Sequence, residues 1–130
     1  MSDLLDGAAQ AASGLRAQSM RLRLVSENIA NADTPGYHRK LTSFRELVEH
    51  GRATGEVVTG PVRLDPAEAE RIHDPAHPLA NSDGFYEGSN VNLVVEIADA
   101  REAQRSYEAN LRMFDQTRQM SRSLLELLRR

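Results

Sequence analysis

The sequence of 130 residues contains no cysteine and no tryptophan, and it has only three phenylalanines and three tyrosines. Without cysteine the chain can form no disulfide, no thiolate metal site and no cysteine nucleophile. Aromatic side chains usually dominate the energetics of a core, and here alanine supplies much of the apolar fraction instead. The composition therefore favours thin seams between helices over a thick central core.

Long apolar runs and a large surplus of one charge are also missing. No stretch approaches the roughly 20 apolar residues that a membrane-spanning helix needs, so we expect no direct membrane insertion. Asp3 and Asp6 stand where a cleavable export signal would carry basic residues. Sixteen basic residues are set against nineteen acidic ones, which leaves no single-sign field to attract nucleic acid. We therefore expect no nucleic-acid partner.

Motifs that carry catalysis are absent as well. The patterns GxxxxGK[ST], GxSxG and HExxH do not occur. His73 and His77 have the spacing at which two imidazoles share a zinc ion on a helix, but Pro75 and Pro78 interrupt that segment. We predict that the chain is not an enzyme and has no catalytic, cofactor-binding or metal-binding residue and no small-molecule substrate. A small hydrolase using His77 and Asp74 is the weak catalytic alternative.

A helical pattern is present at the start of the chain. Over residues 1–30, apolar side chains recur at alternating gaps of four and three residues, which is typical of a coiled-coil-like seam. The predicted packing positions are Leu4, Ala8, Ala11, Leu15, Gln18, Leu22, Val25 and Ile29. We interpret the polar Gln18 as a marker of register. Pro35 and Gly36 predict that the helix stops shortly after residue 30.

The same gaps return from Leu93 to Phe114, and beyond them the apolar stripe continues with a period near 3.6 residues, so a second long helix is predicted within residues 91–130. Its predicted packing positions are Ile97, Tyr107, Leu111, Phe114 and Leu124, in a stripe that also contains Leu93, Ala100 and Gln104. We expect the two helices to pair with each other. Part of each stripe then needs cover from neighbouring subunits.

The segment between the helices has a different composition. Residues 31–90 hold all five prolines and six of the eight glycines, and their only helical pattern is a possible short turn at Thr42–Glu49. Glu56–Leu64 and Phe85–Tyr86 indicate short extended segments. The sequence therefore predicts a mainly α fold, with terminal helices over 1–30 and 91–130 pairing as a coiled-coil-like hairpin. Residues 31–90 form an irregular insert of turns, loops and short strands, in which the fold of residues 46–70 stays open.

Three stretches contain more than a packing pattern. They read SENIANADTPGY over Ser26–Tyr37, DPAHPLANSDGFYEGSNV over Asp74–Val91, and RSYEANLRMF over Arg105–Phe114. Together they resemble the axial proteins of the bacterial flagellum and, among these, the proteins of the proximal rod. The residues that carry the resemblance are Asn28, Asn31, Thr34, Pro35, Gly36, Tyr37, Asp74, Pro75, Pro78, Gly84, Asn90, Val91, Tyr107 and Asn110.

The resemblance implies a structural subunit of the proximal rod, which spans the periplasm and transmits torque. Its implied partners are other flagellar rod proteins, copies of itself and the flagellar type III export apparatus, which exports such proteins without a cleavable signal peptide. The terminal helices would form the inner tube and stay loosely ordered before assembly. Two alternatives remain open: another proximal rod protein, and a small coiled-coil adaptor or secretion chaperone that would be a stable dimer in isolation.

Overall fold

A long helix lies at each end of the computed structural model, which describes residues 2–130. Helix α1 spans Ser2–Ala30 and helix α2 spans Leu93–Leu128. Pro35 and Gly36, the latter with φ +74°, follow the end of α1 and prevent its continuation. Asn92 caps α2 by accepting hydrogen bonds from the backbone N–H groups of the next turn. Both ends of the insert are thus fixed by local sequence.

Six short strands lie between the helices and pair two by two. They are β1 (Lys40–Leu41), β2 (Phe44–Glu49), β3 (Arg52–Thr59), β4 (Arg63–Leu64), β5 (Arg71–His73) and β6 (Phe85–Glu87). The pairs β1–β4, β2–β3 and β5–β6 are all antiparallel and form three separate sheets. The predicted mainly α fold with a strand-containing insert is confirmed.

The local predictions for the insert differ in outcome. Strands β3 and β4 occupy most of Glu56–Leu64, and β6 contains Phe85–Tyr86, so both extended segments are found. The possible helical turn at Thr42–Glu49 is wrong, because β2 occupies this segment and pairs with β3. Strand β2 is mostly exposed and contains several charged residues, so its sequence lacks the alternation of apolar and polar residues that predicts a strand.

Helices α1 and α2 pack antiparallel in one regular register. Gly7 lies opposite Thr117, and Gly14 lies opposite Asn110. Further along, the Asn28 side chain contacts that of Glu96. Each step of seven residues along α1 therefore corresponds to a step of seven residues back along α2. This heptad spacing keeps the same two helix faces in contact over the whole hairpin.

The contact between the helices is lined by small and polar residues. The buried residues of α1 are Ala11, Ser13, Gly14, Ala17, Leu24, Val25 and Asn28, and those of α2 are Glu96 and Ala103. The distance between packed helices depends on the size of the side chains at the contact. Small side chains on both helices therefore allow a close approach, and Leu24 and Val25 are the larger apolar residues that are buried near the end of α1.

Strand β3 covers one flank of α1 through polar contacts. The Ser13 hydroxyl donates to the Gln10 carbonyl at 2.7 Å and accepts from the Val57 N–H at 2.9 Å. The Gln10 side-chain amide donates to the Thr54 carbonyl at 3.0 Å. A backbone N–H at the edge of β3 is thereby satisfied by a side chain of the helix, which explains why Ser13 is buried.

The glycines of α1 offer a test of the close approach. A Cβ at Gly14 would lie 2.7 Å from Cγ of Asn110, whose amide group is tied to the Ser106 carbonyl at 2.8 Å. A Cβ at Gly7 would meet only Thr117, at 3.8 Å. We expect Gly14→Ala to lower the free energy of unfolding by about 1–3 kcal/mol through overpacking. Gly7→Ala should raise it by up to about 1 kcal/mol, because alanine favours helix.

The measurement is urea unfolding followed by circular dichroism, under conditions where the wild-type chain is helical. The double variant Gly14→Ala/Asn110→Ala should recover part of the loss, since it removes the obstructing side chain. Equal effects of the two single glycine substitutions would contradict the close contact at Gly14.

Candidate assembly site

The Asn28 side chain joins four parts of the chain. Its Oδ1 accepts hydrogen bonds from the Tyr37 hydroxyl and from the Lys40 N–H, both at 2.8 Å. Its Nδ2 donates to the Lys40 carbonyl at 3.0 Å and to Glu96 Oε2 at 3.4 Å. One buried amide group thus connects the end of α1, the turn, β1 and the start of α2.

The other residues of the turn bond to one another and to the loop before α2. The Asn31 side chain donates to the Glu27 carbonyl at 2.9 Å, and the Thr34 hydroxyl donates to Asn31 Oδ1 at 3.1 Å. The Gly36 N–H donates to the Gly88 carbonyl at 3.0 Å. The motif ANADTPGY therefore forms a turn with a defined shape that contacts the second motif.

Asn90 has a corresponding role on the other side of the junction. Its Oδ1 accepts from the Arg39 N–H at 2.6 Å, and its Nδ2 donates to the carbonyls of Asp65 and Ala67 at 3.0 Å each. The neighbouring Val91 N–H donates to the Ser89 hydroxyl at 3.3 Å. Asn28 and Asn90 together fix the chain on both sides of Arg39. We call this region the junction: the end of α1, the turn, residues 38–40, Asn90 and the start of α2.

The centre of the junction is a buried ion pair. Glu96 is fully buried, and its Oε1 accepts from Arg39 Nε at 2.6 Å. Arg39 also reaches Asp65 at 3.4 Å and Asp99 at 3.5 Å. A buried carboxylate without a partner is costly, whereas a guanidinium offers several donors in a fixed fork. Arg39 therefore holds three carboxylates that come from the insert and from α2.

Sequence reasoning missed Arg39 and Glu96 as site residues. Both resemble ordinary solvated charges, and an acidic residue in the first turn of a helix is already favoured by the helix dipole. Glu96 lies seven residues before the buried Ala103, which is the one sequence signal that places it on the packing line.

The second motif shapes the β5–β6 hairpin. The Asp74 N–H donates to the Gly84 carbonyl at 2.9 Å, and the Asp74 carboxylate accepts from the Ala76 N–H at 3.2 Å. Gly84 has φ +82°, and a Cβ there would lie 2.9 Å from the Pro75 ring. Asp74, Pro75 and Gly84 are therefore turn-forming residues, and Pro78 lies in the same loop.

The two histidines with zinc-like spacing pack against aromatic rings of the same hairpin. His73 meets Phe85 edge to face at 4.7 Å, and His77 stacks on Tyr86 at 3.9 Å. Among residues 2–130, no group of three histidine or acidic side chains is arranged to hold a metal ion. In the same part of the chain, no helix is long and apolar enough to span a bilayer.

The predicted packing positions lie at different depths. Ala11 and Val25 are buried, and Leu4, Ala8, Leu15, Gln18, Leu22, Tyr107 and Phe114 are half-buried. Ile29, Ile97, Leu111 and Leu124 are exposed, as shown by the 47 % exposure of Ile97. Asn110 is half-buried opposite Gly14. The apolar stripes therefore flank the small and polar contact line and are only partly covered within the chain.

The side-chain oxygen Oε1 of Gln18 is buried and has no hydrogen-bond partner within the described residues.

The pKa of Tyr37 is raised from its ordinary value of 10.0, first by burial and further by the negative charges of Glu27 and Glu96, while Lys40 opposes the shift. The neutral phenol is therefore the form that the junction favours.

Comparison with known families identifies the class of protein to which this junction belongs. Residues 10–38 match the family model described as flagella basal body rod protein. Residues 82–127 match the model described as flagellar basal body rod FlgEFG protein C-terminal. The first match contains most of α1 with its turn, and the second contains the loop before α2 with nearly all of α2. The class is that of the flagellar basal-body rod proteins.

Relatives that align with about nine tenths of the chain identify the family within this class. The chain is 43 % identical over 126 residues to the flagellar basal-body rod protein FlgC of Agrobacterium fabrum, covering 92 % of this chain and 91 % of the relative. It is 33 % identical to FlgC of Salmonella typhimurium, covering 90 % and 92 %, and 30 % identical to FlgC of Bacillus subtilis, covering 89 % and 92 %. The chain belongs to the FlgC family of flagellar basal-body rod proteins.

Removing the central cation should destabilise the junction strongly. Arg39→Ala leaves Glu96 buried without its cation, so we expect the free energy of unfolding to fall by about 3–5 kcal/mol. The control Lys40→Ala removes a half-exposed pair with Glu27 at 3.0 Å and should cost less than about 1 kcal/mol. Urea unfolding measures both. The double variant Arg39→Met/Glu96→Leu should regain most of the loss, and equal effects of the two single variants would contradict the central role of Arg39.

The raised pKa of Tyr37 predicts a loss of stability in alkali. Because the folded chain holds the phenol proton more tightly than the unfolded chain, this contribution is fully present below about pH 10. It is lost as the pH rises through the folded-state pKa. Thermal unfolding between pH 8 and pH 11 should therefore show a steeper alkaline decline for wild type than for Tyr37→Phe. Tyr107→Phe retains Tyr37 and should follow wild type, and parallel curves for wild type and Tyr37→Phe would refute the assignment.

Proposed function

We propose that this chain is a structural subunit of the proximal rod of the bacterial flagellar basal body and that it assembles through its terminal helices to transmit torque. The observation that carries the proposal is the junction. It unites the two segments that match rod-protein models through the buried contacts of Asn28, Arg39 and Glu96. The membership of the chain in the FlgC family supports the same role.

The geometry suits a part that transmits torque. At about 1.5 Å per residue, the 36 residues of α2 form an element roughly 54 Å long. The insert is attached to the start of this element by the ion pairs and hydrogen bonds of the junction, so a force applied to the insert acts on the helices. A load-bearing subunit needs such a rigid connection, and we infer a structural role rather than a catalytic one.

We infer that the partners are other rod proteins and further copies of this chain. Large apolar side chains such as Ile97, Leu111 and Leu124 are exposed on the hairpin, and burying them between subunits would stabilise an assembly. When identical subunits contact one another through two different surfaces, they form a closed ring only if the rotation between neighbours brings the last subunit back to the first. Otherwise they form an open helical assembly. An open helical stack is the assembly that such surfaces favour.

We also infer export through the flagellar type III apparatus to the rod in the periplasm. The buried apolar core of the described chain is thin, since it consists of Ala11, Ala17, Leu24, Val25 and Ala103. Passage in an unfolded or partly folded state requires little work against such a core, and neighbours in the rod would complete the fold.

Incorporation into basal bodies tests the proposal. In a strain that lacks the native gene, a plasmid copy should restore swimming, and the protein should be present in purified basal bodies by immunoblot. Arg39→Ala should reduce swimming at least severalfold because it weakens the junction, while Lys40→Ala should support swimming at the wild-type level.

Photo-crosslinking at Tyr107 or Leu111 in the same basal bodies should capture flagellar rod proteins. The exposed Arg63 in the insert provides the control position. Capture of only non-flagellar proteins would contradict the assignment. So would a purified chain that is a compact, highly helical dimer at every concentration tested and has a sharp melt, which is the behaviour of a coiled-coil adaptor or chaperone.

A further inference from the structure

A groove lies along the helical hairpin where Tyr107 of α2 meets the outer side of α1. Its volume is about 440 Å³, and its lining residues are Leu15, Arg16, Ser19, Met20, Arg23 and Tyr107. All six belong to the two helices, so no lining residue comes from the insert. We call this feature the Tyr107 groove.

The Tyr107 groove has positive charge that the chain itself leaves unpaired. Arg16 and Arg23 are exposed, and among residues 2–130 neither takes part in an ion pair. Glu27 and Glu108 are near them in the sequence, but neither lines the groove. A guanidinium offers several donors in a fixed fork that matches a carboxylate. The groove therefore suits an apolar side chain that is accompanied by carboxylates.

Two other cavities along the helices lack this combination. The cavity at the start of α2 is lined by Arg21, Arg39 and Lys40, and each of these cations already pairs with a carboxylate of the chain. The groove on the outer face of α2 contains Glu102 beside its two arginines. Of the three, only the Tyr107 groove is lined by cations without a carboxylate.

The segment between β4 and α2 has the opposite charge. Residues 65–91 contain six acidic residues and a single arginine. One of the acids, Asp65, pairs with Arg39 at 3.4 Å. The other five are exposed and form no ion pair among residues 2–130; they are Glu68, Glu70, Asp74, Asp83 and Glu87.

An exposed leucine shares one face of the β5–β6 hairpin with two of these acids. Leu79 is 64 % exposed, and it lines the same surface depression as Glu68 and Glu87. Arg71 lines this depression as well, but its guanidinium lies over the Phe85 ring at 5.2 Å. The face thus presents an apolar side chain with two free carboxylates, and we call it the Leu79 face.

The Leu79 face and the Tyr107 groove are complementary, but they do not meet within one chain. In the described part of the chain, β5 and β6 pack on each other and not on either helix. We propose that the Leu79 face of one copy docks in the Tyr107 groove of a second copy, with Glu68 and Glu87 close to Arg16 and Arg23. This proposal rests on the proposed function and specifies one contact between copies. Because the two surfaces differ, the contact can repeat from copy to copy.

Disulfide trapping tests the contact directly, because the wild-type chain has no cysteine. Ser19→Cys in one chain and Leu79→Cys in another, made in the same cells, should form a mixed disulfide when purified basal bodies are oxidised. The control for Ser19→Cys is Met113→Cys, which is 60 % exposed on α2 and lies outside the groove. We expect the Ser19–Leu79 yield to exceed the control yield at least fivefold. Equal yields overturn the proposal.

Charge exchange tests the pairing of the acids with the arginines. Arg16→Glu/Arg23→Glu in the Ser19→Cys chain should lower the disulfide yield about fivefold, because carboxylates then face carboxylates. Glu68→Arg/Glu87→Arg in the Leu79→Cys chain should lower it equally. Combining the two reversed chains should restore the yield, whereas the exposed control Arg112→Glu should leave it unchanged. Failure of the combination to restore the yield overturns the proposed pairing.

Removal of the exposed leucine separates the docking contact from the rod function. Leu79→Ser should lower the amount of the protein in basal bodies at least severalfold, and Leu79→Met should retain the wild-type amount because it keeps an apolar side chain. Normal incorporation of Leu79→Ser would refute the docking contact and leave the rod function standing. So would a photo-crosslinker at Ser19 that captures a different rod protein and no copy of this chain. Absence of the wild-type chain from basal bodies would instead refute the rod function.

Discussion

The burial of one carboxylate determines how the parts of this molecule are arranged. Glu96 is fully buried at the start of α2, and a buried charge requires a paired, hydrogen-bonded partner. Arg39 supplies the charge and Asn28 supplies a further hydrogen bond. Because Asn28 lies in the last turn of α1 and Arg39 follows the turn after this helix, the contacts of both residues with Glu96 fix the path of the chain between them. The shape of the turn is a consequence of that requirement.

The insert depends on this fixed point and on α1. Its three sheets have two strands each, and an isolated two-stranded hairpin is marginal in water. The β2–β3 hairpin is held against α1 by Ser13 and Gln10, and the β1–β4 pair starts at Lys40 beside Asn28. The insert therefore has little stability of its own. Loss of the ion pair at Arg39 should loosen both the helices and the segments attached to them.

The sequence predicts those features that depend on near neighbours along the chain. The helices, their ends and the pairing of the two are read from periodicity, from Pro35 and Gly36, and from the rod-protein motifs. The burial of Gly14, Asn28 and Glu96 was not predicted, because these residues have no apolar side chain that would mark them as buried. Gly14 is buried against Asn110 and Asn28 against Glu96, and in both pairs the partner is more than 60 residues away in sequence. Strand β2 was missed for a similar reason, since its charged side chains are exposed on one sheet edge.

The predicted apolar stripes lie beside the small and polar residues that are buried between the helices, and this arrangement has a physical reason. Polar contacts such as Asn28–Glu96 tolerate only one register, because a shift would leave buried groups without partners. Apolar side chains are less demanding and can pack against varied neighbours. In a chain with polar, register-defining contacts at the centre of its hairpin and leucines on the outside, the register of the two helices is set by the chain's own residues. Its apolar surface, which includes Ile97, Leu111 and Leu124, then remains available for assembly.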